Sequence, residues 1–292
     1  MRAPQAASSR FTSAPYVLVA PLALVLVVFF GIPLVLVVVV SFFDLDKFDI
    51  IPTFVLTNYS ELLSSPLTYT LYAKTLKYAL IVCAITLVIG FTVSYFLVFH
   101  VRSILWQMGL FLLCTVPFWT SNVIRMISWI PLLGRHGLLN QSLIALGLAD
   151  HPLEFLLFSD FSVVIAYVHL FSLFMIVPIF NSMARIERTV IEAAVDGGAS
   201  RFRVITDIVI PLSKTGIALG SIFVIALVMG DFFVVKVMSG GQSASVVAAM
   251  SNEIAILQYP PAAANAVCLL TIVTLMVAVI MRVVDVRREL SG

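Results

Sequence analysis

The chain has 292 residues, 61% hydrophobic and 11% charged, with a formal net charge of +2. Soluble domains carry roughly 25% charged residues, so a water-soluble enzyme or a nucleic-acid-binding module is excluded. No tract is long enough for a separate soluble domain. The expected fold class is an all-α polytopic membrane protein, because a spanning helix needs about 20 consecutive apolar residues and six runs meet or approach that length: 16–43, 71–99, 104–133, 161–183, 215–237 and 262–284.

Residues 1–14 are polar, with Arg2 and Arg10, and no small-residue cleavage site follows the first apolar run. The expectation is a cytoplasmic tail ahead of a six-helix domain over 15–292, not a removed signal peptide. The loop 44–70 leans acidic through Asp44, Asp46, Asp49 and Glu61. In the second run Thr86, Gly90 and Ser94 recur every four residues, a small-residue stripe suited to close helix packing.

The third run carries a charge. On insertion scales an intramembrane charge costs roughly 2.5–3.5 kcal/mol at a helix centre, so Arg125 requires a reason. Phe118, Asn122, Arg125 and Trp129 fall on one face of a straight helix, with Trp129 one turn from Arg125 at cation–π range. Asp231, in the fifth run, lies at a similar depth with the opposite sign, which predicts a salt bridge to Arg125. Two readings stand: a buried ion pair that fixes helix register, or a face that lines a substrate route. The loop 134–160 is expected to hold a short interfacial helix over 138–148, ahead of Asp150-His151-Pro152. Tyr167, Asn181 and Asn265 are further polar span residues that either face a cavity or bond a neighbouring helix. Cys83, Cys114 and Cys268 lack paired spacing and read as small packing residues.

Between the fourth and fifth runs lies a polar segment of about thirty residues, 184–214, far longer than a turn requires. Its sequence over 192–211 is EAAVDGGASRFRVITDIVIP. The reading is two short helices broken at Asp196-Gly197-Gly198, where glycine permits backbone angles other residues resist. Pro211 is expected to end the second, since it offers no amide hydrogen. A helix-turn-helix at the membrane surface is a docking surface for a soluble partner. Between the last two runs, 238–261 opens with Ser239-Gly240-Gly241 and closes with Tyr259-Pro260-Pro261, strong turn punctuation at both ends.

With the N-terminus placed in the cytoplasm, the inner side holds Arg2, Arg10, Arg102, Arg185, Arg188, Arg201, Arg203, Lys214, Arg282, Arg287 and Arg288. The outer side holds Lys47, Lys74, Lys77, Arg125, Arg135 and Lys236. Basic residues concentrate on the cytoplasmic side of membrane proteins, so this orientation is favoured and puts 184–214, and both termini, in the cytoplasm. The chain has no HExxH, no GxSxG, no Cys-x-x-Cys and no glycine-rich loop followed by Lys-Ser or Lys-Thr. It therefore lacks the usual phosphate loop, and any ATP it depends on is hydrolysed by another polypeptide.

Glu192-Ala193-Ala194, then Gly198, then Ile208-x-Ile210-Pro211, resembles the signature loop of ATP-binding-cassette importer permeases. Val116-Pro117-Phe118-Trp119-Thr120-Ser121 leading to Ile124-Arg125 and Trp129, with Gly137-x-x-Asn140, Leu146-Gly147, Val177-Pro178 and Ser239-Gly240-Gly241, is similar to the permeases of spermidine/putrescine-type importers. The resemblance implies a type I importer permease of the bacterial inner membrane. It also implies a second permease subunit, two copies of a cytoplasmic ATPase and an extracytoplasmic solute-binding protein. The chain binds no cofactor itself; ATP and magnesium act through the ATPase. Glu192, Ala193, Ala194, Asp196, Gly197, Gly198 and Pro211 then couple to the ATPase, and Trp119, Asn122, Arg125, Trp129 and Asp231 border the pathway of a small, polyamine-like organic solute. Two departures stand out: Gly197 occupies a position where leucine is more usual, and Lys236 one where proline is. The alternatives are a self-sufficient secondary transporter or channel, which predicts inverted repeats and broken helices, and an intramembrane enzyme, which needs clustered acids or metal ligands at span ends.

Overall fold

The structure is a computed structural model that describes residues 14–46, 49–241 and 244–284. The tail expected over 1–14, save Ala14, lies outside the described residues. So do Arg2, Arg10, Lys47, Arg287 and Arg288 of the charge count.

The first span is one helical column. It comprises α1 (Ala14–Leu26), a π-helical stretch Val27–Gly31 and α2 (Ile32–Val40). None of Val19–Val40 is buried against the rest of the chain, as expected of a helix facing lipid or another subunit. A hairpin of β1 (Asp44–Asp46) and β2 (Asp49–Ile51) follows, pairing antiparallel with Leu45 opposite Ile50. Helix α3 (Thr57–Ser64) then leads into α4 (Pro66–Tyr95), whose last turn widens into a π-helical Phe96–His100.

The third apolar run is not one straight helix. Helix α5 (Ile104–Thr115) and a 3-10 turn Val116–Trp119 meet the next helices at a 90° bend. The cause is local. Pro117 supplies no amide hydrogen to the ladder, Thr120 turns extended (φ −96°, ψ 150°), and Ser121 restarts the chain by accepting a hydrogen bond from the Val123 amide at 3.3 Å. Beyond it run α6 (Asn122–Ile127), α7 (Trp129–Leu133) and α8 (Leu138–Ala145), the last being the short helix expected in the loop. Among the described residues, five helices are long and apolar enough to cross a membrane, and the bent pair makes a sixth if counted as one span.

The core is a three-helix stack. Helix α9 (Asp160–Met183) starts at a capping box in which Ser159 and Ser162 satisfy each other's backbone amides. It lies between α4 and α12 (Ile210–Met229). Lipid-embedded helices gain little from hydrophobic burial, and close approach through small residues takes its place. The stripe read from sequence does this. A Cβ on Gly90 would sit 2.7 Å from the Met175 side chain, Thr86 and Ser94 are fully buried, and Ser94 donates to the Ile176 carbonyl at 3.1 Å. A Cβ on Gly220, on the α12 side, would likewise sit 2.6 Å from the sulfur of the same methionine. Met175 is thus clamped between two glycines.

The segment between the fourth and fifth spans holds α10 (Arg188–Asp196), then α11 (Arg201–Arg203), a π-helical Val204–Val209 and α12. Pro211 does not end the second helix. Arg201–Met229 runs through it as one apolar helix, because the wide π turn just before the proline takes up its ring and missing donor. That helix stops at Gly230, and α13 (Phe233–Met238), α14 (Val246–Ala255) and α15 (Tyr259–Val284) complete the chain. Gly240 and Gly241 make the expected turn at φ +58° and +83°.

Candidate functional site

Helix α10 projects from the bundle. Glu192, Ala193 and Asp196 are exposed and Ala194 is half-buried. Its end is a Schellman cap: Gly198 sits at φ +85°, its amide bonds the Val195 carbonyl at 2.9 Å, and the Ala199 amide bonds the Ala194 carbonyl at 2.9 Å. Only Gly198 needs the left-handed region, since Gly197 has φ −72°. The departure at Gly197 therefore leaves the turn geometry intact.

One side-chain bond ties the start of this projection to the bundle and another joins the two spans that flank it. Arg188 donates to the Val98 carbonyl at 3.5 Å, at the π-helical end of the second span, and Ser182 donates to the Leu212 carbonyl at 3.5 Å, one residue past the exposed Pro211. Below them a cavity of about 690 Å³ opens between α9, α12 and the loop, lined by Pro178, Asn181, Arg185, Glu187, Leu219 and Phe223 among others.

At the far end of α9 and α12 a second cavity of about 260 Å³ is lined by Asn122, Met126, Phe171, Gly230, Asp231 and Phe233 among others. Two of the five pathway residues read from sequence, Asn122 and Asp231, therefore share one cavity. Asp231 is not within a helix as expected. It lies in the break after α12, where Oδ1 accepts the Val234 amide at 2.8 Å and the buried Tyr167 hydroxyl at 3.3 Å.

The expected Arg125–Asp231 salt bridge is absent among the described residues. Arg125 is 7% exposed; it donates to the Asn122 side chain, and its Nε has no hydrogen-bond partner. The bend at Pro117 accounts for the error, since equal depth along straight helices no longer places the two charges side by side. The cation–π partner also differs. The Arg125 guanidinium lies 5.6 Å from the Phe118 ring, while Trp129 turns to His169 and donates to its Nδ1 at 3.1 Å. Trp119 is 77% exposed at the bend.

Sequence reasoning missed a third pocket of about 310 Å³, lined by Glu61, Tyr72, Glu253 and Asn265 among others. Asn265 donates to both Glu253 carboxylate oxygens, at 3.1 and 3.2 Å. Burial pushes the Glu253 carboxyl up, and the Asn265 bond pulls it partly back. The amphipathic residues of α14 carried the signal for that helix, but turn punctuation on both sides concealed it. At Lys236 the amide donates to the Phe232 carbonyl at 3.0 Å, so this position serves as ordinary helix where a proline could not bond.

A polytopic helical core with an exposed capped helix between two spans is the architecture of a permease subunit of an ATP-binding-cassette transporter, the class to which the comparisons assign the chain. The spermidine/putrescine transport system permease protein PotB of Escherichia coli is 34% identical over 222 residues, 75% of this chain and 78% of that protein. The Haemophilus influenzae protein of the same name is 31% identical over 221 residues, covering 74% and 75%. The inner membrane ABC transporter permease protein YdcU of E. coli is 26% identical over 229 residues, covering 74% and 72%. A chain in the crystal structure of a bacterial alginate ABC transporter, bound to a periplasmic protein carrying an alginate pentasaccharide, superposes with a TM-score of 0.72 at 14% identity, covering 92% of each chain. A second alginate ABC transporter structure gives 0.69 at 16% identity, covering 93% and 94%. No family model matches. The chain belongs to the ATP-binding-cassette permease family that includes the spermidine/putrescine permeases, as a multi-pass protein of the inner membrane.

Proposed function

We propose that this subunit forms half of the route by which a small, polyamine-like organic solute is imported, with energy from a partner ATPase. The observation that carries the reading is mechanical. The exposed helix α10 leads, across the Schellman cap, into a helix that continues unbroken from Arg201 to Met229. A push on the loop therefore reaches α12, and with it both cavities, across a turn of only four residues, 197–200, which the two cap bonds hold. Glu192, Ala193, Ala194, Asp196, Gly197 and Gly198 form the ATPase-docking surface, and Pro211 marks where the loop helix enters the span. The subunit makes and breaks no bonds; ATP and magnesium bind the ATPase, of which two copies serve the complex.

The remaining partners are a second permease subunit, which closes the exposed side of the pathway, and an extracytoplasmic binding protein that delivers solute. The loop 184–214 and both termini face the cytoplasm in this arrangement. Trp119, Asn122, Arg125, Trp129 and Asp231 border the route, with Asn122 and Asp231 in the far cavity itself. The name of the E. coli relative and the Asp231 carboxylate in that cavity both favour a cationic solute. A secondary transporter or channel would leave the exposed capped helix without a task.

Co-purification tests the docking role. Glu192→Lys reverses a charge on the exposed face of α10 and should sharply reduce recovery of the ATPase with the permease, while the permease still inserts in the membrane. Undiminished recovery and undiminished substrate-stimulated ATP hydrolysis would remove the coupling role. The solute is tested separately by competition of spermidine and putrescine for uptake in reconstituted vesicles; failure of both to compete eliminates the polyamine class and leaves the permease role standing.

A further inference from the structure

The two cavities on α9 and α12 are in register on both helices and are interrupted at the same level. Along α9 the far cavity reaches Leu170 and Phe171, and the loop-side cavity begins at Val177 and Pro178. Along the antiparallel α12 the far cavity ends at Ala226 and the loop-side cavity begins at Phe223. Phe174 lies between them. Its ring centroid is 6.3 Å from that of Phe171, which lines the far cavity, and 6.4 Å from that of Phe223, which lines the other. On a third side Phe118, at the bend of the third span, meets Phe174 edge-on at 5.2 Å.

We propose that Phe174, braced by Phe118 and Phe223, is the gate that separates the far cavity from the loop-side cavity in the resting subunit. The proposal rests on the permease reading and names the residue that closes its route. Phe118 and Phe223 are 43% and 48% exposed in the single subunit, so the rings form one side of an apolar constriction that the second permease subunit completes, and such constrictions stop ions and water by dewetting. The placement also connects the gate to both moving parts. Phe223 rides on α12, which continues into the coupling loop, and Phe118 rides on the bend beside Arg125. A shift of α12 relative to α9 separates Phe223 from Phe174 directly. A purely structural ring cluster would have no reason to fall where both cavities stop.

Cysteine accessibility in the assembled transporter tests this without knowledge of the solute. In a background with Cys83, Cys114 and Cys268 replaced by serine, Asn122→Cys reports the far cavity and Leu219→Cys the loop-side cavity. Each is exposed to a membrane-impermeant trimethylammonium methanethiosulfonate reagent in right-side-out and in inside-out vesicles, without ATP. With Phe174 or Phe174→Trp, each reporter should react from one face only. With Phe174→Ala, reagent added at one face should reach the reporter beyond the ring at least about tenfold faster, as expected when an apolar constriction is opened. Phe174→Leu makes the same test should the alanine variant fail to assemble. A reporter that reacts from both faces with Phe174 present, or an unchanged face pattern when the ring is removed, overturns the gate. Either result leaves ATPase docking through Glu192 untouched, so the two readings fail separately.

Discussion

The neighbouring glycines that end α10 should respond differently to the same added side chain. Gly198 lies at φ +85°, whereas Gly197 lies at φ −72°. An L-residue in the left-handed region costs roughly 1–2 kcal/mol, and a β-branched one is a genuine outlier there. Nothing crowds a Cβ at Gly198, so the cost is conformational rather than steric; at Gly197 a Cβ would meet the Ala193 and Ala194 carbonyl oxygens at 3.3 and 3.4 Å, a modest squeeze. If Gly198→Val keeps the cap, it stores that strain in the docking-competent form. If it relaxes, the 2.9 Å bonds to Val195 and Ala194 are lost. Either way, a penalty of one or two kcal/mol shifts an equilibrium by about 5- to 30-fold, which should appear as a weaker ATPase–permease association. The assay is substrate-stimulated ATP hydrolysis titrated against ATPase concentration, with Gly197→Val as the matched control. Equal behaviour of Gly198→Val and Gly197→Val would refute the reasoning.

Three further outcomes are expected. Gly90→Ala puts a methyl 2.7 Å from the Met175 side chain and 3.3 Å from its backbone carbon; overpacking of this kind costs about 1–3 kcal/mol, so the melting temperature of the purified complex should fall, and Met175→Ala should restore part of it. Asn140, 1% exposed, donates to the Gly134 carbonyl at 2.9 Å and accepts the Leu153 amide at 2.7 Å. Asn140→Leu strands both groups at about 1–3 kcal/mol each when buried, and limited proteolysis should cut the 134–153 loop faster than in the parent chain. Arg125 and Asp231 share no bond, so stability losses from Arg125→Gln and Asp231→Asn should add within about 0.5 kcal/mol in a double-mutant cycle; a larger coupling would show that the two charges meet after all.

Sequence alone determined what short-range physics controls. Hydrocarbon demands long apolar helices, and the fourth and sixth spans, read as 161–183 and 262–284, agree within a turn with the observed Asp160–Met183 and Tyr259–Val284. The glycine break at Asp196-Gly197-Gly198 was legible because one left-handed residue suffices to stop a helix. The small-residue stripe of the second span was legible because periodicity alone puts Thr86, Gly90 and Ser94 on one face.

Only the tertiary structure decided how these pieces meet. Pro117 bends a helix and Pro211 does not, although both lack the same amide hydrogen. The first is followed by an extended Thr120 and a fresh cap at Ser121, while the second is preceded by a widened turn that packs against α10 through the loop. Such compensation comes from neighbours and is invisible in a one-dimensional pattern. The 90° bend then moved Arg125 out of line with Asp231 and placed Asn122 in the cavity instead. The aromatic gate was hidden for the same reason. Phe118, Phe174 and Phe223 come from three separate spans, in a chain with 22 phenylalanines, and only packing brings these three rings to the level where both cavities end.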